Sequence, residues 1–144
     1  RKEITTEGGL NIKKNSKKLF MIINRLNKNK IRTSLFINPN LKDIKLAKKI
    51  GSRCIEIHTG IISNKIKNKQ SYVKDLENIK KCAKLGKLLG LEVHSGHGID
   101  YKTAKILSRI KEIEEFNIGH FIIGESIFDG FQHTIKKFKR IIKS

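Results

Sequence analysis

Apolar positions along this chain follow two periodicities that alternate from its first residues to its last. Short runs rich in β-branched residues predict strands, and longer stretches with apolar residues three or four positions apart predict amphipathic helices. The predicted strands are 31–38, 53–60, 91–98 and 116–123, after the end of an earlier strand and a Gly-Gly loop within 1–10. The predicted helices are 14–28, 41–50, 71–90, 103–113 and 125–144, and a long polar loop is predicted at 61–70.

Strands separated by helices of this length predict parallel pairing through right-handed crossovers. Four such units after a strand stub do not close a barrel, which needs eight strands. We therefore expect an α/β fold in which residues 1–144 form one partial domain, the C-terminal half of a (β/α)8 TIM barrel (about strands 5–8 with the end of strand 4). A complete flavodoxin-like open sheet is the alternative. The barrel is favoured because polar segments end the last two strands, where barrels commonly bind phosphate.

The strongest compositional signal is the charge. Lys and Arg number 32 against 13 Asp and Glu, and the formal net charge of +19 suggests a nucleic-acid partner. However, only six of the 32 are Arg, the lysines occur in nearly every predicted segment, and an aromatic content of 6% offers little for base stacking. No nucleic-acid-binding motif is recognisable. A nucleic-acid-binding module is therefore the second hypothesis, and the lysines can instead attract phosphorylated substrates.

Membrane and redox signals are weak in this sequence. No apolar stretch is long enough to span a bilayer, and the first residues lack the apolar segment of a secretory signal. Cys54 and Cys82 lie in apolar or helical patterns, with no CxxC and no Cys/His spacing typical of zinc. We expect two reduced thiols in or near the core of a cytoplasmic protein that has no membrane partner.

Glu56 is the first candidate for chemistry. Alternation along the strand places Ile55 and Ile57 on one face and Glu56 on the other, together with Cys54 and His58. If the isoleucines face the covering helices, Glu56 points into the barrel, where a carboxylate is costly unless it has a partner. It is either a functional carboxylate or a structural one bound by a Lys or by backbone, since structural ion pairs occupy similar positions.

His97 is the second candidate, at the centre of a Gly-His-Gly turn. The flanking glycines permit a tight turn and the close approach of a ligand, and an imidazole can exchange protons near neutral pH. The alternative is a histidine exposed on an ordinary loop. A metal pair with His94 is not favoured, because only His58 or His120 could supply a third ligand.

A candidate phosphate site lies at Gly119-His120, placed inside the last predicted strand, with Gly124 at the start of the final predicted helix. Backbone N–H groups at a glycine and the partial positive charge of a helix start both favour a bound anion. The alternative for Gly119 is a β-bulge. Thr5 lies in the first predicted loop. It either offers a hydroxyl at the end of the barrel where these segments gather or belongs to a plain loop.

Five segments, in their order and spacing, closely resemble the pyridoxine 5′-phosphate synthase family. They are EITTEGGL (3–10), SLFIN (34–38), IEIHTG (55–60), GHG (96–98) and NIGHFIIG (117–124). Each segment is weak alone, but the combination is specific. The resemblance covers essentially the whole chain, but only the C-terminal part of the family's sequence.

The resemblance implies a β/α barrel with a few extra helices that assembles into a homo-octamer. It also implies that 3-amino-2-oxopropyl phosphate condenses with 1-deoxy-D-xylulose 5-phosphate, a transferase reaction that forms the pyridine ring of vitamin B6 and releases phosphate and water. It implies neither a metal nor an organic cofactor. The expected partners are thus two small phosphorylated substrates. A barrel that acts on a different sugar phosphate is a third hypothesis.

Residue roles also follow from the resemblance. His97 matches the family's proton donor, and Glu56 matches the glutamate that stabilises charge in the transition state. Thr5 matches a contact to the deoxyxylulose phosphate. Three further positions match contacts to the aminoketone phosphate: Gly98, Gly119 and His120.

The resemblance also shows what this segment lacks. The family's two proton acceptors, a histidine and a glutamate, and several of its substrate contacts lie in its N-terminal half, so we expect the segment alone to be inactive. Two local departures accompany the match. His94 stands where asparagine is usual and Ser95 where alanine is usual, and both bear on the hydrogen bonding behind His97.

Overall fold

A computed structural model describes residues 8–143, in which seven helices accompany one parallel four-stranded sheet. The predicted strand stub and Thr5 fall outside the described residues. The strands are β1 (Ser34–Ile37), β2 (Cys54–His58), β3 (Glu92–Gly96) and β4 (Glu115–Asn117). The helices are α1 (Ile12–Lys28), α2 (Leu41–Lys49), α3 (Gly60–Lys67), α4 (Val73–Leu88), α5 (Tyr101–Leu107), α6 (His120–Asp129) and α7 (Phe131–Lys143).

The strands pair in chain order, β1-β2-β3-β4, and each pair is parallel. A flavodoxin-like sheet reverses its strand order at a switch point, so this order argues against the open-sheet alternative. Sequential parallel pairing is instead the arrangement found in the wall of a β/α barrel. The predicted fold class, a parallel α/β sheet with covering helices that forms part of a barrel, is confirmed.

The two faces of the sheet differ because side chains alternate along each strand. Ile55 and Val93 are fully buried on one face, where a Cβ built at Gly86 of α4 would lie 3.0 Å from Ile55 Cδ1 and 2.8 Å from Val93 Cγ2. This face packs on the helices, as predicted, and each buried aliphatic side chain there contributes about 1.5–3 kcal/mol. The other face carries a row of polar residues. In the register of the strands, Glu56 of β2 lies beside His94 of β3, and His94 lies beside Glu115 of β4.

The predicted helix ends are confirmed where side-chain or glycine signals define them. Asn40 caps α2 by accepting a hydrogen bond from the Lys42 N–H at 2.9 Å. Gly90, just past the end of α4, has a φ of +69°, the left-handed conformation that commonly closes a helix. No helix within residues 8–143 combines the length and apolarity needed to cross a membrane.

Both cysteines are free and fully buried, in agreement with the prediction of core thiols. Burial raises the pKa of Cys54 and of Cys82 to about 11, so each thiol keeps its proton at neutral pH. Cys82 packs in the core cluster from α4, whereas Cys54 begins β2 on its polar face.

Four segment predictions were wrong. The helix predicted over 103–113 ends at Leu107, and turns follow it. The predicted polar loop 61–70 is mostly helix α3, because Ile62 and Ile66, four positions apart, pack on the core. The last strand ends at Asn117 rather than continuing to 123, because the short apolar run after it coils into α6, and periodicity does not separate strand from helix in so short a run. The final helix is broken at Gly130, where φ is +80°.

Candidate active site

His97 stands on a strained turn directly after β3. Its φ of +75° lies in the left-handed region, which costs a residue with a Cβ roughly 1–2 kcal/mol. The fully buried Thr59, at the end of β2, holds this turn. Its N–H donates to the Gly96 carbonyl at 2.9 Å, and its hydroxyl lies 2.7 Å from Gly96 O and 2.8 Å from His97 O. Such strain persists only where the surroundings fix the backbone, as Thr59 does here.

The imidazole of His97 is held by aromatic neighbours and remains partly exposed. It stacks on His58, with ring centroids 4.9 Å apart and an interplanar angle of 28°. Phe36 of β1 meets the His58 ring edge-on at 5.3 Å. A Cβ built at Gly60 would lie 2.8 Å from His97 Cδ2 and 2.9 Å from the His58 ring, so only glycine leaves room for this stack. His97 thus lies on a turn after β3, with its ring held against His58.

Glu56 lies half-buried on the polar face of the sheet, opposite the helices, as predicted. Its Oε2 accepts a hydrogen bond of 2.8 Å from the side-chain amide of Asn117, at the end of β4. Its Oε1 approaches the backbone of Gly96 so closely that a Cβ there would overlap it. Burial raises the pKa of this carboxyl, and the hydrogen bond from Asn117 opposes that shift. Among the described residues its hydrogen-bond donor is thus an amide, not a lysine.

Gly119 and His120 form the N-terminus of a helix rather than the interior of a strand. Gly119 occupies the N-cap position of α6 and His120 is its first residue. The helix therefore begins four residues before Gly124, which lies inside α6 and not at a helix start. This correction brings the free N–H groups of a helix start to the very pair predicted to bind phosphate.

Four of the predicted site residues line one cleft of about 930 Å³: His97, Gly98, Gly119 and His120. Asn117 lines the same cleft, and Glu56 is linked to it through the Asn117 amide. Glu56 itself lies two register positions from Asn117, toward the N-terminal ends of the strands. The structure thus brings these groups together at the C-terminal ends of β2, β3 and β4, which is where barrel active sites occur.

The sequence reasoning missed several residues that line this cleft or hold it. Ser63, Asn64 and Lys67 reach it from α3, the segment that was predicted as a loop. The four-residue spacing of Ile62 and Ile66 was the signal that could have identified that helix. Lys67 adds a cation to a cleft that already has a helix N-terminus, whereas its lining residue Asp100 caps α5 by accepting from the Thr103 N–H at 2.7 Å. The part of the cleft at Lys67 and Gly119 is therefore suited to an anion.

The positive charge of the chain is not concentrated at one surface element. Lysines occur on each described helix except α6. Some of them pair with acidic side chains, as Lys65 does with Asp75 at 2.6 Å and Lys87 with Glu114 at 2.8 Å. This distribution lends no support to a dedicated nucleic-acid-binding face.

The pH dependence of stability tests the buried carboxyl of Glu56 without any substrate. Because its pKa is raised in the folded state, Glu56 favours folding below the ordinary Glu pKa of about 4.3, and this contribution is lost as pH rises through the folded-state value. Glu56→Gln removes the charge, so we expect it to melt at a higher temperature than wild type at neutral pH. The difference should shrink toward pH 4 in thermal unfolding followed by circular dichroism.

The exposed Glu77 supplies the control for that measurement, since within residues 8–143 its ion pair is with Lys80 across the α4 surface at 3.0 Å. Glu77→Gln should shift the melting temperature little at any pH, because exposed pairs contribute at most about 1 kcal/mol. A Glu56→Gln variant less stable than wild type at neutral pH would show that burial is not the dominant influence on this carboxyl.

Comparison with known proteins gives a consistent result over the whole chain. Residues 1–144 match the model of the family described as pyridoxal phosphate biosynthesis protein PdxJ. The chain is 63% identical over 141 residues to a pyridoxine 5′-phosphate synthase of Pelagibacter ubique (strain HTCC1062), a match that covers 98% of the chain and 59% of that protein.

Other relatives with the same name match over a similar share of their length. Identity is 44% over 143 residues with the protein of Sulfurihydrogenibium sp. (strain YO3AOP1) and 42% over 142 residues with that of Prochlorococcus marinus (strain MIT 9211). Each of these matches covers 99% of the chain and 58% of the relative. The chain thus spans a little under three fifths of the length of these three relatives.

Proposed function

This chain belongs to the family of pyridoxal phosphate biosynthesis protein PdxJ, and from that premise we propose that it is the C-terminal part of a pyridoxine 5′-phosphate synthase. The proposed reaction condenses 3-amino-2-oxopropyl phosphate with 1-deoxy-D-xylulose 5-phosphate to give pyridoxine 5′-phosphate, phosphate and water. The observation that supports it best is the single cleft that joins His97 to the Gly119-His120 helix start, with Glu56 linked to it through Asn117.

The cleft is proposed to bind the phosphate of the aminoketone. Gly119 and His120 present the first N–H groups of α6, and the helix adds a partial positive charge at that end. Lys67 lines the same cleft and can neutralise a further negative charge. Gly98 is exposed at its wall, where the backbone can approach a ligand closely. Anchoring the phosphate in this way places the reacting carbonyl and amine near His97.

Ring closure requires carbonyl condensation followed by loss of water, and each departing hydroxyl needs a proton. His97 is proposed to donate that proton from its imidazolium, since its ring faces the cleft from a fixed turn. The carboxylate of Glu56 is proposed to stabilise positive charge that develops on the condensing nitrogen. The Asn117 amide holds the Glu56 carboxylate in a fixed orientation through its hydrogen bond to Oε2.

The whole enzyme is proposed to be a closed eight-stranded barrel to which residues 1–144 contribute about strands 5–8. The remaining strands then cover the polar face of this sheet and supply the proton acceptors that the family resemblance implies. Thr5 is proposed to contact the deoxyxylulose phosphate. A homo-octamer is the assembly that the same resemblance implies, and a cytoplasmic location is proposed for it from the two reduced thiols.

The proposed reaction is tested with the protein expressed from its complete gene. We expect it to convert the two named substrates into pyridoxine 5′-phosphate, detected by chromatography, with release of inorganic phosphate. Replacing 1-deoxy-D-xylulose 5-phosphate by xylulose 5-phosphate or ribulose 5-phosphate should give no ring product. Turnover of one of these sugar phosphates instead would support the third hypothesis, a barrel enzyme with a different substrate. Strong, salt-sensitive binding of DNA or RNA without turnover would support the second.

A further inference from the structure

A second polar cluster lies toward the N-terminal ends of the strands, away from the cleft. Cys54 begins β2 and Glu92 begins β3, and the two are paired in the register of the sheet. His94, two residues after Glu92, points to the same face. The Cys54 sulfur, a carboxylate oxygen of Glu92 and a ring nitrogen of His94 all lie within 4.8 Å of one another.

We propose that Cys54, Glu92 and His94 form a binding site for a divalent cation of borderline softness, with Zn²⁺ as the best match. One thiolate, one imidazole and one carboxylate are ligands that zinc accepts, and water can complete a tetrahedral set. Mg²⁺ and Ca²⁺ bind through oxygen ligands, so a site with a sulfur ligand does not match their preference. The site was not apparent from spacing along the chain, because strand pairing, not a short linear motif, brings Cys54 to Glu92.

His94 is already oriented as metal-binding histidines commonly are. Its Nε2 lies 2.9 Å from Glu92 Oε1, on the side where the cation would bind. Its Nδ1 faces Glu115 Oε1 at 3.7 Å, across the next strand pair. At this distance the carboxylate forms no hydrogen bond, but it places a negative charge beside the second ring nitrogen. His94 is also 2% exposed, so its ring has little freedom to turn away.

The local charge favours a cation although the chain as a whole is strongly basic. Glu92 and Glu115 bring two carboxylates to the cluster, and Arg32 is the cation beside them, with Nη1 at 2.7 and 2.9 Å from the two Glu92 oxygens. Within the described residues, the side chains of Glu92 and Arg32 are 33% and 53% exposed. On binding, the Cys54 thiol releases its proton to solvent, and Arg32 remains on the outer side of Glu92.

The site joins two adjacent strands and lies outside the cleft, although its ligand His94 is the cross-strand neighbour of Glu56. A cation there would hold the beginning of β2 to the beginning of β3 through side-chain ligands, in addition to the backbone ladder. We therefore expect it to raise stability, since a ligand that binds only the folded state shifts the unfolding equilibrium by mass action.

The test uses the protein expressed from its complete gene, first depleted of metal with a chelator. Co²⁺ serves as the spectroscopic probe, and we expect one equivalent to give a sulfur-to-cobalt charge-transfer band and the intense visible bands of tetrahedral coordination. Zn²⁺ should bleach both and raise the melting temperature. X-ray absorption of the Zn²⁺ form should show one sulfur at about 2.3 Å with nitrogen and oxygen at about 2.0–2.2 Å.

Variants assign the ligands. Cys54→Ser should lose the charge-transfer band, His94→Asn should weaken Co²⁺ binding at least about tenfold, and Cys82→Ser should behave as wild type, because Cys82 lies on α4 away from the cluster. Wild-type X-ray absorption without a sulfur neighbour overturns the proposal, as does a charge-transfer band that survives in Cys54→Ser. These measurements do not involve ring formation, so they stand or fall separately from the proposed synthase activity.

Discussion

Gly96→Ala is expected to lower kcat/KM of the complete enzyme at least about 100-fold while the protein stays folded. The new Cβ would overlap Glu56 Oε1 and lie 2.9 Å from its carboxyl carbon. The carboxyl is the end of a flexible side chain, so it should rotate away and leave the backbone in place. It would then lose the 2.8 Å hydrogen bond from Asn117, and a displacement of about 1 Å in an active site can reduce the rate about 100-fold.

Gly86→Ala is the control, because it introduces a steric contact on the opposite face of the sheet. Its Cβ would lie 2.8 Å from Val93 Cγ2, among the packed helices. Overpacking there should reduce the free energy of unfolding by about 1–3 kcal/mol, partly offset by up to about 1 kcal/mol of helix propensity. Activity per folded molecule should stay near wild type. Near wild-type activity in Gly96→Ala, measured with its melting temperature, would mean that the position of Glu56 does not limit the reaction.

The fold was predictable because its strands have strong, separate signals. β2 and β3 combine β-branched residues with polar alternation, and the helices between them are long enough to require parallel crossovers. The inward direction of Glu56 followed from the same alternation, once Ile55 was assigned to the helical layer. Local signals of this kind depend only on neighbours in sequence, and these are the features that the sequence specified correctly.

The errors share a physical cause, which is that tertiary packing decided the conformation of short segments. α3 is rich in Lys and Asn, yet Ile62 and Ile66 dock it on the core. α6 has no buried residue at all and still follows β4 as a helix, so its apolar run gave a false strand signal. Both errors affected the site, because α3 provides Lys67 and α6 provides the helix start at Gly119.

The contacts that position the site could not be predicted from one sequence. Thr59 holds the His97 turn from the neighbouring strand, and Asn117 reaches Glu56 across 61 positions of the chain. Neither residue has a local pattern that distinguishes it from an ordinary strand-end residue. Their partners became visible only when the register of β2, β3 and β4 was known. Strand register likewise created the Cys54–His94 cluster.

His97→Asn is expected to reduce kcat of the complete enzyme by about 10²–10⁴-fold, the usual contribution of a positioned proton donor. Asparagine tolerates a φ of +75° better than most residues with a Cβ, so the turn held by Thr59 should survive and the melting temperature should change little. KM for the phosphorylated substrates should also change little, because the helix start at Gly119 does not depend on the imidazole.

The exposed His133 on α7 provides the matched control, since it does not line the cleft, and His133→Asn should leave kcat unchanged. Steady-state kinetics across pH separate the two possible meanings of a loss in His97→Asn. Loss of proton donation removes the limb of the pH–rate profile that reports the donor, whereas a distorted turn lowers the rate equally at all pH values and also lowers the melting temperature. Wild-type kcat in His97→Asn would remove His97 from the mechanism and leave Gly119 and Lys67 as anion-binding groups without an assigned proton donor.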